Sequence, residues 1–317
     1  MLKIGIIGRS ELMYDSMVLM HKGKHKVSYV ITAKEAPEYQ KTREHFSDFC
    51  VSNQIPFHTC SNFKSDETKE FLKKYGDVDI VLSVNFSGII PQKIIDTARI
   101  GFLNAHGGDL PKYRGNACQA WAMLNGEEKI AICIHKMVGG ELDNGDIIIK
   151  DFLSISNQTK ILDVWLWMNA RIPQLFEESV EKLFQEPIFI LEKQSKDPSK
   201  ALRCYSRRPE DAQVYWSQNA LNILRLINAS GDPYDGAFTS LDDEKLYIWD
   251  AEIVDDLERF CAIPGQIIEI LRDGSVVVAC GEMTKIKLIT VSKTKGKRSN
   301  ANQYLYSTRQ RLTLSGW

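Results

Sequence analysis

The sequence lacks the features that mark secreted, metal-stapled and membrane proteins. Its seven cysteines are widely scattered, none stands in a C-x-x-C pair or at zinc-ligand spacing, and their odd number argues against a disulfide framework. No apolar run reaches the roughly 18 residues that a membrane span needs. The amino terminus has neither the basic start nor the small-residue cleavage site of a signal peptide. These absences predict a cytoplasmic protein with no metal and no membrane partner.

The sequence also has no large excess of positive or of negative charge. The 317 residues include 40 Lys and Arg against 41 Asp and Glu, which gives a formal net charge of −1 at pH 7. A protein that tracks nucleic-acid phosphates needs a basic surplus, so this balance speaks against a nucleic-acid partner. The basic run 293–298 suits a phosphate-rich partner or a solvated tail, and it is interpreted as a solvated tail.

The first part of the chain alternates between β-type apolar runs and helical patterns. The expected strands are 2–7, 27–32, 56–59, 80–84, 101–106, 130–136 and 147–152. Strands that alternate with helices predict a parallel, doubly wound sheet. We therefore expect an α/β fold whose first domain has a mostly parallel, Rossmann-like sheet.

The pattern changes after a polar and basic segment, 193–209, which contains two X-Pro pairs and suits a linker. A helix is predicted over 210–230. Short β-type runs with Gly and Asp turns follow at 237–241, 245–253, 265–270, 275–280 and 285–291. Regular short strands predict a small barrel or sandwich. The predicted division is a first domain over 1–192, a linker over 193–209 and a smaller β-rich domain over 210–317.

Polar side chains stand at the end of one predicted strand. Asn104 and His106 are two residues apart, so on an extended strand they point to the same face. Gly107 and Gly108 follow, where the strand must stop and the backbone can turn. Open α/β sheets build their sites at such carboxyl ends. Together with Asp143 from a later loop, these residues predict a site with an amide, an imidazole and a carboxylate.

Three motifs in this order give these residues a family context. Asn-x-His at 104–106 precedes Leu-Pro-Lys-Tyr-Arg-Gly at 110–115 and Leu-Asp-Asn-Gly-Asp at 142–146. The combination resembles the folate-dependent formyltransferases. The resemblance implies transfer of a formyl group from the co-substrate 10-formyltetrahydrofolate to an amine, and an OB-like fold for the second domain. It also implies that the catalytic residues are Asn104, His106 and Asp143.

The chemistry of acyl transfer suits these residue types. The reaction needs a stabilised oxyanion and a route for protons from the incoming nitrogen to the leaving one. Asn104 offers a neutral amide donor, and His106 is of a type that titrates near neutrality. Asp143 can orient and charge-stabilise His106, or relay a proton through water, and the division of proton transfer between the two stays open. His135, in a predicted strand, is interpreted as a structural residue.

The resemblance also assigns ligand contacts. The stretch 83–91 and the loop 137–143 correspond to the family's pterin-binding walls. Cofactor contacts are therefore predicted at Phe86, Ser87, Gly88, Ile89, Val138, Gly139 and Asp146. Free amides at a helix start and cationic side chains both suit a phosphate. On that basis, substrate contacts are predicted at Arg9, Ser10, Lys112, Tyr113 and Arg114.

Several functions remain open for a chain with these motifs. The neutral charge favours a nucleotide-linked amino sugar, with UDP or dTDP as the nucleotide. The segment 207–216 is similar to the second domain of the bacterial enzyme that formylates UDP-linked 4-amino-4-deoxyarabinose. The alternatives are methionyl-tRNA formyltransferase, a formyltetrahydrofolate hydrolase or dehydrogenase fragment, and a non-catalytic folate or nucleotide binding module. An exposed edge on the small barrel makes a homodimer the expected assembly.

Overall fold

Two compact units make up the computed structural model, which describes residues 1–256, 258–294 and 296–314. The first unit consists of Met1–Cys118, Lys129–Leu153 and Trp165–Tyr205. The second consists of Gln119–Glu128, Ser154–Val164 and the described residues from Ser206 onward. The first unit thus extends past the start of the segment predicted as a linker, and the domain boundaries at 192 and 209 stay a prediction.

A seven-stranded sheet forms the centre of the first unit. Its strands are β1 (Lys3–Gly8), β2 (Lys26–Thr32), β3 (Phe57–Thr59), β4 (Val78–Val84), β5 (Ala98–His106), β7 (Lys129–Lys136) and β8 (Ile147–Ser154), with a short β6 (Arg114–Gly115) outside it. The order is β3-β2-β1-β4-β5-β7-β8, with parallel pairing from β3 to β5 and antiparallel pairing of β5 with β7. The predicted doubly wound, mostly parallel α/β sheet is confirmed.

The central strands of this sheet are rich in aliphatic and β-branched residues, which favour buried strands. β1, β4 and β7 are buried along nearly all of their length, as expected for strands that are covered on both faces. The α-helices among the described residues are α1 (Ser10–Lys22), α2 (Arg43–Ser52), α3 (Asp66–Tyr75), α4 (Gln92–Ile95), α5 (Cys118–Leu124), α6 (Ile161–Gln185) and α7 (Ala220–Asn228). None of the helices in the described ranges is both long enough and apolar enough to cross a membrane.

The second unit is dominated by antiparallel strands. They are β10 (Ala237–Leu241), β11 (Glu244–Val254), β12 (Ile267–Ile270), β13 (Val276–Ala279), β14 (Lys285–Ser292), β15 (Ser299–Asn300) and β16 (Leu312–Thr313). Their order is β12-β13-β14-β11-β10-β16, and β15 pairs with β14. An antiparallel bridge from Gln266 to Arg311 joins the two ends of this order, so the sheet closes around its core. The predicted small, OB-like β-rich domain is confirmed.

The helix predicted over 210–230 is wrong in its first half. A short 3₁₀ turn, Pro209–Ala212, comes first, and Gln213 then forms a bridge with Phe238. The α-helix α7 begins only at Ala220, where the Asn219 side chain accepts a hydrogen bond from the Asn222 N–H and caps the helix. Backbone pairing with the sheet therefore overrides the helical pattern of this segment.

Two segments that the sequence places outside the regular structure, the predicted linker and the basic run, make defined contacts. Within the predicted linker, β9 (Arg203–Cys204) pairs in parallel with β6. The basic run 293–298 connects β14 to β15, and its ends are ion-paired: Lys293 with Glu244, and Arg298 with Asp232 at 2.6 Å. Lys295 lies outside the described residues. The described residues of this run are exposed, as expected for a solvated segment, but the interpretation of the run as a tail is wrong because β15 and β16 follow it.

Candidate active site

The last residues of β5 carry two of the predicted catalytic side chains. Asn104 and His106 share one face of the strand because they are two residues apart. In the antiparallel pairing of β5 with β7, Asn104 stands opposite His135 and His106 stands opposite Cys133. Directly opposed residues point to the same face of a sheet, so His135 joins Asn104 and His106 on that face.

Asp143 reaches this face from the loop between β7 and β8. Its Oδ2 lies 3.5 Å from His106 Nδ1 and accepts a 2.9 Å hydrogen bond from the Gly115 N–H. Its Oδ1 lies 3.6 Å from His135 Nε2. The backbone of Asp143 adopts φ = 49°, a left-handed conformation that Asp tolerates better than most residues. The structure thus brings Asn104, His106 and Asp143 together in one cluster.

The proton of His106 has a defined place in the cluster. Nε2–H donates to the Tyr113 carbonyl oxygen over 2.6 Å, and a carbonyl oxygen only accepts hydrogen bonds. In the neutral imidazole the bare nitrogen is therefore Nδ1, which faces Asp143. His106 is only 7% exposed, so this arrangement is shielded from bulk water. The imidazole can take up a proton at the atom that a carboxylate stabilises.

The surroundings of Asp143 keep its carboxyl group ionised. Burial acts to raise its pKa, but the positive charge that the facing His106 and His135 imidazoles carry when protonated, together with the Gly115 N–H, outweighs burial and holds the pKa well below its usual range. The side chain is only 11% exposed. A buried, ionised carboxylate therefore lies beside His106 Nδ1, where it can stabilise positive charge on that ring.

Two further residues lie next to the cluster. Asn104 Nδ2–H donates to His135 Nε2 over 3.2 Å, and the interpretation of His135 as a structural residue stays a prediction. Gln194 Nε2–H donates to the carbonyl oxygens of Asp143 (2.9 Å) and Gly145 (2.7 Å). The alternating face pattern of β7 was a weak signal for His135. Gln194 lies in the predicted linker, where no pattern pointed to it.

Arg114 has a supporting position beside the cluster. Its Nη2–H donates to Gln194 Oε1 over 2.7 Å, and its Nε is buried without a hydrogen-bond partner. Burial lowers the pKa of the guanidinium, against the opposing effect of the Asp143 and Glu141 carboxylates. Through Gln194, Arg114 is tied to the loop that carries Asp143.

The two predicted cofactor walls meet in the structure. Gly139 N–H donates to Gln92 Oε1 over 2.7 Å, which joins the loop 137–146 to the start of α4. Gly88 lies where a Cβ would be 2.7 Å from the Ser61 carbonyl oxygen, so only glycine fits without a shift. Phe86 packs on Phe63, with ring centroids 5.4 Å apart. The other predicted positions on these walls differ in exposure: Ser87 and Ile89 are exposed, Val138 is 36% exposed and Asp146 is half-buried.

The predicted substrate residues fall into two places. Arg9 and Ser10 follow β1 at the point where the strand order reverses, which is where open α/β sheets form their crevice. Arg9 Nε–H donates to the Asn85 carbonyl oxygen (2.6 Å), and Ser10 is fully buried, its Oγ accepting from Asn85 Nδ2 (3.2 Å). Lys112 is exposed, whereas Tyr113 is 3% exposed. The described side chains include no group of three or more His, Cys, Asp or Glu that could hold a metal.

Comparison with known proteins identifies the family. The model of the formyl transferase family matches residues 3–164, and that of the formyl transferase C-terminal domain matches residues 207–309. A methionyl-tRNA formyltransferase of Acinetobacter baumannii is 30% identical over 314 residues, which covers 95% of this chain and 96% of the relative.

Two solved structures share the fold. WlaRD, a sugar 3N-formyl transferase solved with dTDP and 5-N-formyl-THF, has a TM-score of 0.66 at 19% identity and covers 91% of this chain and 97% of its own. The N-formyltransferase of Helicobacter canadensis, solved with folinic acid and dTDP-3-aminofucose, has a TM-score of 0.63 at 16% identity and covers 91% and 99%. The resemblance predicted from the motifs is confirmed, because the first family model spans more than half of the chain and a full-length relative reaches 30% identity. This chain belongs to the formyl transferase family.

Proposed function

We propose that this formyl-transfer enzyme moves a formyl group from 10-formyltetrahydrofolate to the amine of a nucleotide-linked amino sugar, with UDP or dTDP as the nucleotide. The observation that carries the reaction is the cluster at the end of β5. There Asn104, His106 and Asp143 combine a neutral amide, an imidazole with a bare nitrogen and an ionised carboxylate. Acyl transfer needs a stabilised oxyanion and a route for protons, and these three groups can supply both.

Each residue has a role in the proposed reaction. The acceptor amine attacks the formyl carbon, a new C–N bond forms, and the C–N10 bond of the folate breaks. Asn104 donates an amide N–H to the formyl oxygen while negative charge develops there. His106 Nδ1 takes the proton that the amine loses, Asp143 stabilises the resulting imidazolium, and the proton passes to the leaving nitrogen.

The proposed folate site is the pair of walls beside this cluster. Exposed aliphatic side chains stand on both walls: Ile89 is 79% exposed, Val138 36% and Leu142 39%. Exposed apolar side chains next to a polar cluster suit a flat aromatic ring that carries a reactive group. The two structural neighbours were solved with formylated folates, which supports the same ligand here.

The proposed acceptor class is supported by charge and by the same neighbours. Both were solved with a dTDP compound, which in the Helicobacter canadensis protein is an amino sugar. The chain carries a net charge of −1, and the ends of the basic run 293–298 are ion-paired with Glu244 and Asp232. An electrostatic track for nucleic-acid phosphates needs unpaired cations instead.

Methionyl-tRNA formyltransferase is the second candidate, because the curated relative at 30% identity carries that name. This candidate predicts binding that weakens steeply with salt, since a bound tRNA releases counterions. A nucleotide sugar with two phosphates predicts a much shallower dependence. The expected homodimer and cytoplasmic location remain predictions.

One assay separates the two candidates. Purified protein is incubated with 10-formyltetrahydrofolate and with UDP- or dTDP-linked 3- and 4-amino sugars or charged methionyl-tRNA, and folate release and product mass are followed at two salt concentrations. Formylation of one sugar, lost in His106→Ala, is the expected result. Formylation of methionyl-tRNA alone, with a steep loss in salt, would overturn the proposed acceptor, and no formylation of any amine would overturn the proposed reaction.

A further inference from the structure

The two ring nitrogens of His135 have different partners. Nδ1 lies 2.8 Å from the carbonyl oxygen of Lys136, and Nε2 lies 3.2 Å from Asn104 Nδ2. A carbonyl oxygen accepts and never donates, so the proton of the neutral ring belongs on Nδ1. Nε2 is then a bare acceptor that faces the amide of Asn104.

This contact fixes which way the Asn104 amide points. An asparagine side chain has an NH2 end and a carbonyl end of nearly the same shape, and hydrogen-bond partners decide between them. A bare nitrogen on His135 accepts from the NH2 end and rejects the carbonyl oxygen. The second N–H of the same NH2 group then remains as a donor on the face that His106 and Asp143 share.

Asn104 is the nearer of the two candidate partners of Nε2. The other is Asp143 Oδ1, which lies 3.6 Å away and so beyond ordinary hydrogen-bond length. His106 faces His135 edge-on, with ring centroids 6.2 Å apart. His135 is 2% exposed, so water is a poor substitute for the partners it has.

We infer that His135 is a positioning residue of the active site, whose Nδ1–H tautomer orients the Asn104 amide so that its NH2 group is the donor to the formyl oxygen. The inference rests on the proposed formyl transfer. His135 makes no contact with substrate in this role and acts only through Asn104. The role depends on the ability of His135 Nε2 to accept a hydrogen bond, and a substitution can keep or remove that ability.

Two variants separate this role from simple packing. In His135→Gln, the amide oxygen takes the place of Nε2 as an acceptor, whereas His135→Leu fills the space without one. Loss of one oxyanion donor lowers kcat by about 10²–10³ in well-studied enzymes, and a misoriented donor should lower it by about 10–100-fold. We expect that loss in His135→Leu, with KM for both substrates nearly unchanged, and a kcat within about fivefold of the parent in His135→Gln.

A matched control is available in the same unit. His58 is half-buried on β3, stacks on Phe71 and bonds to Thr68, away from the cluster. His58→Leu therefore reports the cost of replacing a packed histidine. A kcat in His135→Leu close to that of His58→Leu would overturn the inference. Equal losses in folded His135→Leu and His135→Gln would overturn it too, because acceptor capacity would then be irrelevant.

A measurement on the unsubstituted protein covers the case in which a variant fails to fold. ¹⁵N-resolved NMR of the histidine rings distinguishes a bare from a protonated Nε2, and the His135 ring is assigned through its through-bond connection to its own backbone amide. A protonated Nδ1 and a bare Nε2 are expected, and a ring protonated on Nε2 would overturn the inference. This measurement needs neither folate nor acceptor, so it is separate from the assay that decides the proposed function.

Discussion

His106 and Asp143 face each other through the one ring nitrogen that is free to take a proton. Nδ1 of His106 lies 3.5 Å from Oδ2 of Asp143, while Nε2–H of the same ring is engaged with the Tyr113 carbonyl oxygen. In the proposed reaction, a proton taken from the attacking amine therefore arrives beside a carboxylate that is already ionised. The pair is arranged to hold a transient positive charge, as a base in acyl transfer must.

Replacement of Asp143 by Asn should remove the negative charge beside His106 and leave the local backbone unchanged. An Asn oxygen can still accept from the Gly115 N–H, and Asn tolerates the left-handed φ of 49° at this position. Without the negative charge the imidazolium is less stable, so kcat should fall by about 10²–10⁴-fold, measured as formyl transfer at neutral pH. Asp77→Asn, at an exposed surface ion pair with Lys3, is the control and should keep the parental rate. A near-parental kcat in Asp143→Asn would remove Asp143 from the mechanism.

Stability against pH should carry the signature of the same carboxylate. The pKa of Asp143 is lower in the folded protein than its ordinary value, so ionised Asp143 stabilises the fold above the unfolded-state pKa of about 3.9. That contribution is lost as the pH falls from this value toward the folded-state pKa. The free-energy difference between parent and Asp143→Asn, measured by urea unfolding, should therefore be constant above about pH 5 and shrink below about pH 4.

The comparison has a clear contrary outcome. If burial dominated, the folded-state pKa of Asp143 would be raised instead, and Asp143→Asn would gain stability relative to the parent as the pH rises. A difference that grows in favour of the variant above pH 4 would therefore contradict the low pKa of Asp143.

Much of the sheet and half of the cluster were predictable from local patterns. β-type runs that alternate with helices gave the parallel sheet, and the two-residue spacing of Asn104 and His106 before Gly107 placed both side chains on one face. These inferences hold because strand periodicity and glycine turns depend on neighbouring residues only. The place of Asp143 came from motif order instead.

What the sequence did not reveal depends on tertiary register. His135 lies opposite Asn104 only because β5 and β7 pair antiparallel, whereas the neighbouring pairs from β3 to β5 are parallel. Shifting that register by one residue would turn His135 to the other face. Gln194 returns to the cluster from a polar segment that is indistinguishable from a linker by composition. Neither position has a local signal that could decide it.

Gly139→Ala should affect folate binding more than the chemical step. A Cβ at Gly139 would lie 2.4 Å from the backbone nitrogen of Gln92, closer than real Cβ atoms approach backbone. The two proposed folate walls must therefore move apart, which should raise KM for 10-formyltetrahydrofolate about tenfold or more while kcat changes less. Gly231→Ala is the control, since its Cβ would meet only ordinary contact with the Ile227 carbonyl oxygen at 3.8 Å. An unchanged folate KM in Gly139→Ala would remove the loop 137–146 from the folate site.

Arg298→Ala should lower stability without lowering activity. The guanidinium lies 3.6 Å above the Trp249 ring and donates two hydrogen bonds to Asp232, at 2.8 Å and 2.6 Å. Loss of these contacts should cost about 1 kcal/mol of unfolding free energy, measured by urea unfolding. Lys297→Ala removes the same charge from an exposed neighbour and should cost less. A drop in formyl transfer in both variants, rather than in stability, would indicate that this basic run binds the acceptor.

Substitutions of Gln194 test whether the loop that carries Asp143 needs the hydrogen bonds from this side chain to keep its position. Its amide joins three groups, because Nε2–H donates to the Asp143 and Gly145 carbonyl oxygens while Oε1 accepts from Arg114. Gln194→Leu leaves all three without this partner, and the buried polar groups should cost about 1–3 kcal/mol of unfolding free energy. If the loop then shifts by about 1 Å, kcat should fall by up to about 10²-fold with KM little changed.

Gln194→Glu separates the two halves of this amide. The carboxylate can still accept from Arg114, but it places a negative oxygen against the two carbonyl oxygens that Nε2–H had bonded. If the bonds to the Asp143 loop are what position the carboxylate, Gln194→Glu should lose at least as much kcat as Gln194→Leu. If the contact with Arg114 is what matters, Gln194→Glu should keep most of the parental kcat and only Gln194→Leu should be slow. Gln158→Leu, at an exposed position, controls for the substitution itself, and a parental kcat in both Gln194 variants would show that the loop holds Asp143 without help.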